Sequence, residues 1–167
     1  MAELSESPIA HERTQLERAA PVIERAQILS VLLAESQAKR TPDADLKAQG
    51  LTTDIQISNV EVGSNRDSKQ IFVMPSFALN ITKKGDEDAG PVPVLSVEAK
   101  FVLIYSVDTF DGLNDENIGS FGVTNGVFNA WPYWREFVQN TVTRMGLQGL
   151  IIPLFRVPSS IASQATE

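Results

Sequence analysis

The sequence predicts an α+β fold: an antiparallel sheet with a long helix on one face. Two patterns and their order carry this. Residues 51 to 62, 70 to 84 and 92 to 107 alternate apolar and polar side chains, the period of a half-buried strand. Residues 128 to 147 instead space apolar side chains three or four apart, the period of an amphipathic helix. Strands come first and the helix last, joined by hairpin-length connections, which layers the helix on one sheet face.

Taken in order, residues 1 to 12 are polar and read as disordered. Residues 13 to 25 have helical composition interrupted by Pro21, which predicts a short helix or a single turn. Residues 26 to 39 (AQILSVLLAESQAK) are open between strand and helix, since periodicity does not separate the two in a short apolar run. Thr41 to Gly50 is a loop. In LTTDIQISNVEV, Ile55 and Ile57 point one way and Asp54, Gln56 and Ser58 the other. GSNRDS at 63 to 68 is a turn. In QIFVMPSFALNITKK, Ile71, Val73, Phe77, Leu79 and Ile81 share a face with Pro75, and proline removes a ladder donor, so an edge or a bulge is expected there.

The acidic run Asp86, Glu87 and Asp88 reads as a solvated hairpin tip. From Leu95 to Val107 the odd-numbered residues are apolar and Ser96, Glu98, Lys100 and Ser106 fall on the other face. In the helix, Asn129 is the candidate N-cap, Pro132 fits only a first turn, and Gly146 and Gly149 supply the stop. LIIPLFRVP at 150 to 158 is a short apolar extended segment.

Composition narrows the function. The chain has 167 residues, 14 basic and 21 acidic, for a net charge of −7, a balance unsuited to gripping a phosphate backbone. With no cysteine, a disulfide framework, a thiolate metal site and a cysteine nucleophile are excluded. The one histidine, His11, cannot build a histidine-rich metal site. No phosphate-binding glycine loop or paired catalytic carboxylate motif occurs. Asp108, Asp111, Asp115 and Glu116 lack the spacing of a calcium loop. No apolar run approaches the roughly 20 residues that span a bilayer, and the mixed-charge start lacks the apolar region of a signal peptide. The expectation is a cytoplasmic protein with no enzyme activity, no cofactor, no metal, no nucleic-acid partner and no membrane insertion.

One stretch resembles a known family. A strand ending YSV at 105 to 107 runs into an acidic crossover, DTFDGLNDENIGS, and then a helix opening WPYWRE at 131 to 136, followed by LIIPLF. This succession resembles the SecB family of export chaperones. Pro132, Tyr133, Arg135 and Glu136 match the family's Pro-Tyr-x-Arg-Glu helix opening in order. The start Arg25 to Ile28 and the Trp-Pro-Tyr opening are similar to SecB-like chaperones that partner toxin–antitoxin systems. The resemblance covers roughly residues 26 to 155. It implies that residues 26 to 39 form the first of four strands, and that 26 to 158 form the chaperone domain. Residues 1 to 25 are then a tail with a short helix and 159 to 167 a disordered tail. Two departures stand out. SSIASQATE after Pro158 is too short and polar for the family's second helix, and Lys39 stands where the family's motor-binding face carries an acid.

The resemblance implies a non-enzymatic holdase that binds unfolded polypeptides for export and assembles as a homotetramer, a dimer of dimers. The alternatives are a chaperone dedicated to one partner such as an antitoxin, and a small-ligand carrier with an aromatic cleft. A holdase needs apolar surface of low geometric specificity. The expected client groove comprises Leu29, Val31, Ile55, Ile57, Met74, Phe128, Tyr133 and Phe137. Glu35 and Glu98 are the expected docking residues for the SecA motor. Trp131 and Trp134 are expected to pack at the core or an interface, with Arg135 and Glu136 in a structural role.

Overall fold

The computed structural model describes residues 8–42, 44, 46, 50–85 and 90–155. Expectations for residues 1–7, for Asp86, Glu87 and Asp88, and for the tail at 159–167 lie outside these. The elements are α1 (Pro8–Ile23), β1 (Ala26–Arg40), β2 (Leu51–Asn65), β3 (Gln70–Lys83), β4 (Val92–Val107), α2 (Asp115–Phe121), a π-helical turn (Gly122–Gly126) and α3 (Val127–Arg144).

The four strands form one antiparallel sheet in the order β1-β4-β3-β2. On β4 the odd-numbered residues from Leu95 to Val107 are all buried, while the even-numbered ones remain partly or fully exposed. Alternation read from the sequence is therefore alternation in space: one face lies under helix and the other is open. Ile71, Val73, Phe77, Leu79 and Ile81 of β3 join the buried face.

Three local expectations are corrected. The N-terminal segment carries a helix, as one of the two expected forms, but it runs 16 residues from Pro8 to Ile23 with Pro21 inside it, so residues 8–12, read as disordered, are helical. Ala19 and Val22 of that helix are fully buried. Pro75 sits on an interior strand, not an edge. The β3–β4 pairing runs to Val73↔Leu103 and resumes at Ser76↔Lys100, and β2 is irregular between Ile57 and Asn59 alongside it. The ladder is interrupted where the missing donor falls.

The third correction concerns the helix start. Asn114 caps α2, accepting from Asn117 N at 2.8 Å, while Asn117 Oδ1 accepts from Asn114 N at 3.1 Å. That reciprocal capping box, with Asp115 and Glu116 in the first turn, starts a run that passes through the π turn into α3. Asn129 is therefore inside the helix, where its Nδ2 donates to the Tyr105 hydroxyl at 3.0 Å. The stop is as expected. Gly146 has φ +94°. Gly146 N donates to Thr143 O and Leu147 N to Val142 O, each at 3.0 Å, the paired bonds of a Schellman ending.

Candidate functional site

Helix α3 lies across the buried face and divides it into two flanks. Val127, Ala130, Trp134, Val138 and Val142 point inward and are buried. Trp134 stacks on Phe77 with ring centroids 5.4 Å apart. Trp131 meets Phe77 edge-on at 5.7 Å. Both tryptophans pack internally, as the helical spacing predicts.

Phe137 and Tyr133 lie on one flank, one turn apart. Phe137 meets Phe101 of β4 edge-on at 6.5 Å, and Phe101 is paired with Leu33 of β1. This flank therefore borders the β1 side, where Val31 shares the same sheet face through its pairing with Leu103. Phe137 and Val31 are half-buried, while Tyr133 is 49% and Leu33 46% exposed. On this flank Tyr133 and Phe137 of α3 and Val31 and Leu33 of β1 leave apolar surface open to solvent. Leu33 was not anticipated from the sequence; its signal was the register that Val31 already implied.

Phe128, Trp131 and Arg135 lie on the other flank, at helical spacing. Phe77, against which Trp131 packs, is paired with Ile57 of β2, so this flank borders the β2 side. Ile55 and Ile57 share that sheet face. Residues 152 and 153 run alongside: Trp131 Nε1 donates to Pro153 O at 2.9 Å and Arg135 Nε to Ile152 O at 3.0 Å. Glu136 accepts from Asn140 Nδ2 on the helix surface.

The expected groove is thus two clefts rather than one. Val31, Tyr133 and Phe137 gather on the β1 side, and Ile55, Ile57 and Phe128 belong to the β2 side. Met74 joins neither, because its register partner Glu61 places it on the open sheet face. Leu29 sits in the bulge between Ile28 and Ser30 on the edge strand.

Glu35 and Glu98 both lie on the open face, opposite Lys100 and Gln37 respectively. They line one shallow depression of about 710 Å³. Lys100 donates to Glu61 Oε1 at 2.8 Å. That bond raises the Lys100 ammonium above its ordinary value; desolvation opposes it, and the nearby Glu61 and Glu35 charges add to the rise. Lys39 shares this face through its pairing with Ser96. Basic and acidic groups are therefore interleaved.

The crossover is pinned by cations. Arg25 Nη1 donates to Asp111 O at 2.6 Å and Lys69 Nζ to Asp108 O at 3.1 Å. Arg66 lies 5.0 Å from the Phe110 ring centroid. Glu116 pairs with Arg18 at 3.0 Å.

No family model matches the chain. Two curated relatives do. The SecB-like chaperone MT2006 of Mycobacterium tuberculosis (strain CDC 1551 / Oshkosh) is 26% identical over 152 residues, covering 84% of this chain and 83% of the relative. The SecB-like chaperone Rv1957 of Mycobacterium tuberculosis (strain ATCC 25618 / H37Rv) is 25% identical over the same lengths. The solved structure of the Rv1957 SecB-like chaperone, in complex with a ChAD peptide from the Rv1956 HigA1 antitoxin, aligns with a TM-score of 0.75 at 24% identity, covering 85% of this chain and 99% of that one. The chain is similar in sequence to SecB-like chaperones and shares the fold of the solved one. The chaperone reading of the sequence agrees with both relatives. The SecB-like sheet also explains why residues 26 to 39, of uncertain period, form the full strand β1. Among the described residues, no helix is long and apolar enough to cross a membrane.

Proposed function

We propose that the chain is a non-enzymatic holding chaperone of the cytoplasm, binding extended apolar segments of non-native polypeptides in the clefts beside α3. The observation that carries this reading is the β1 side of α3, where Tyr133, Phe137, Val31 and Leu33 present apolar surface to solvent. Such a surface recognises hydrophobicity without demanding shape.

A second reading, a chaperone dedicated to an antitoxin, is favoured by the antitoxin peptide bound to the solved relative. Export through the SecA motor is the third. It draws on Glu35 and Glu98, but Lys39 and Lys100 interrupt the acidic field on that face. A pull-down with tagged protein from its own cells separates the readings. Many unfolded clients support the general holdase and one stoichiometric protein the dedicated chaperone. Recovery of neither, with only a small molecule retained in the aromatic cleft, overturns both. Exposed charges are screened over about 10 Å at 0.1 M salt. Glu98→Lys should therefore abolish any salt-sensitive docking to a basic partner while leaving client holding unchanged. Loss of holding in that variant would reverse the assignment of the two faces.

A further inference from the structure

After the Schellman ending, Gly149 takes φ +79° and the chain returns alongside α3 as an extended segment. Ile152 is fully buried. The Phe155 ring lies 5.3 Å from Trp131 and 6.5 Å from Phe128. Trp131 and Arg135 both donate to main-chain carbonyls of the segment, so their grip does not depend on which side chains it carries. Ile151 is 82% and Leu154 70% exposed. A backbone grip, one buried aliphatic side chain and an aromatic contact together form a mode of binding that any extended apolar polypeptide satisfies.

We propose that residues 150 to 155 are a built-in occupant of the cleft on the β2 side, a strap that an incoming client displaces, and that Trp131 and Arg135 then bind the client's backbone. This rests on the chaperone reading above and names the site's resting state. The strap is suited to exchange. Among the described residues, no backbone–backbone hydrogen bond ties 148–155 to the fold. Its attachments are two side-chain hydrogen bonds, the buried Ile152 and the Phe155 ring contacts, and without main-chain bonds it can open locally while the sheet stays intact. Gly146 and Gly149 supply left-handed positions where the chain can turn. A client then binds with an affinity reduced by the fraction of molecules whose strap is open.

The test compares the full chain with Ile152→Ser/Phe155→Ser, which loosens the strap and leaves both donors in place. The probe is a reduced, alkylated, permanently unfolded polypeptide carrying a fluorophore. The double variant should bind it about tenfold more tightly, as expected if a strap open in roughly one molecule in ten is freed. Its tryptophan emission should also shift to the red without any client. The two tryptophans respond differently, because Trp134 stays in the core and Trp131 loses its cover. Adding Trp131→Phe to the double variant should weaken binding again several-fold, because the ring stays and the donor goes. Binding by the double variant that is unchanged or weaker overturns the proposal, since the strap would then be part of the client's site and not its competitor. Should the variant unfold, a peptide of residues 149–156 added to the unaltered chain must compete with the probe, and failure to compete overturns the proposal equally. No probe binding to any form would instead defeat the chaperone reading itself.

Discussion

Glycines in the helical run act in opposite ways according to what lies beside them. An added Cβ at Gly126 would collide with Val73 Cγ1 on the interior strand β3, and one at Gly122 with Val62 Cγ2 on β2. An added Cβ at Gly119 meets nothing within 4 Å. Alanine is worth about 1 kcal/mol over glycine in a helix, whereas overpacking a close contact costs about 1–3 kcal/mol. Gly119→Ala should therefore stabilise by up to about 1 kcal/mol. Gly126→Ala should destabilise by up to about 2 kcal/mol after the propensity gain is subtracted. Urea unfolding of the two variants checks the pair, and equal shifts would contradict the packing of the π turn on β3.

Tyr105 gives a second residue-scale prediction. Burial raises the ionisation of its phenol above the ordinary 10.0, opposed in part by the hydrogen bond from Asn129. The unfolded chain thus releases this proton more readily than the folded one. The associated stability is complete below pH 10 and falls as pH rises through and beyond that value. Tyr105→Phe should flatten the alkaline loss of stability. Thermal unfolding followed from neutral to strongly alkaline pH tests this. A curve with the same alkaline slope in the variant would show that Tyr105 is not its source. The role of Asn129 was not legible in the sequence. An Asn three residues before a proline reads as a cap, and only the tertiary position of Tyr105 reveals its partner. The true cap, Asn114 with Asn117 three residues on, was not legible either, because Asn-x-x-Asn lacks the Ser/Thr-x-x-Glu/Gln signature of a capping box and lies within the acidic crossover.

Among the elements, β3 and β4 were readable because one sheet face is buried under helix and the other is open, which writes a period of two into the sequence; on the exposed edge β2 the same period appears because Ile55 and Ile57 stand opposite the buried Leu79 and Phe77 while polar residues take the other face. Strand β1 lacked that signature for two physical reasons. It is an edge whose Ile28, Leu29, Leu32 and Leu33 are all exposed, and bulges between Ile28 and Ser30 and between Leu33 and Glu35 shift its parity. The helix was half-legible: α3 shows its period, while the glycine-rich stretch GSFGVTNG masks the continuity from α2. Two residues on the β1-side flank of α3 make separable predictions. Tyr133→Ala, on the open flank, should weaken holding of a denatured model protein several-fold while the oligomer keeps its mass. Phe137→Ala should do the same at some cost in stability, because that ring also packs on Phe101 and Trp134. Light scattering at 90° reports aggregation suppression, and sedimentation reports mass. Dissociation of either variant into monomers would make these rings interface residues.

For the whole molecule, the exposed aliphatic row on β1 matters most. An edge strand of 15 residues with unpaired backbone groups and apolar side chains is a template for association unless another chain covers it. Closed symmetry is the common solution, and the proposed assembly is a homotetramer. Sedimentation at micromolar concentration should give four times the 18.3 kDa chain mass, and Leu32→Glu, on the exposed open-face side of β1, should reduce it. A monomer throughout would leave the edge without its expected cover. None of this was derivable from periodicity, because the sequence shows which residues are apolar but not which of them the fold leaves uncovered.

The central claim is that the apolar clefts beside α3 hold unfolded polypeptide. The most direct measurement is a titration of the intact chain with a permanently unfolded, fluorescent polypeptide and, in parallel, with the same polypeptide in its native fold. Saturable binding of the unfolded form that survives high salt, with none to the native form, is the predicted result, since apolar contacts are not screened as exposed charges are. Equal binding to both forms, or binding abolished by salt, would contradict it.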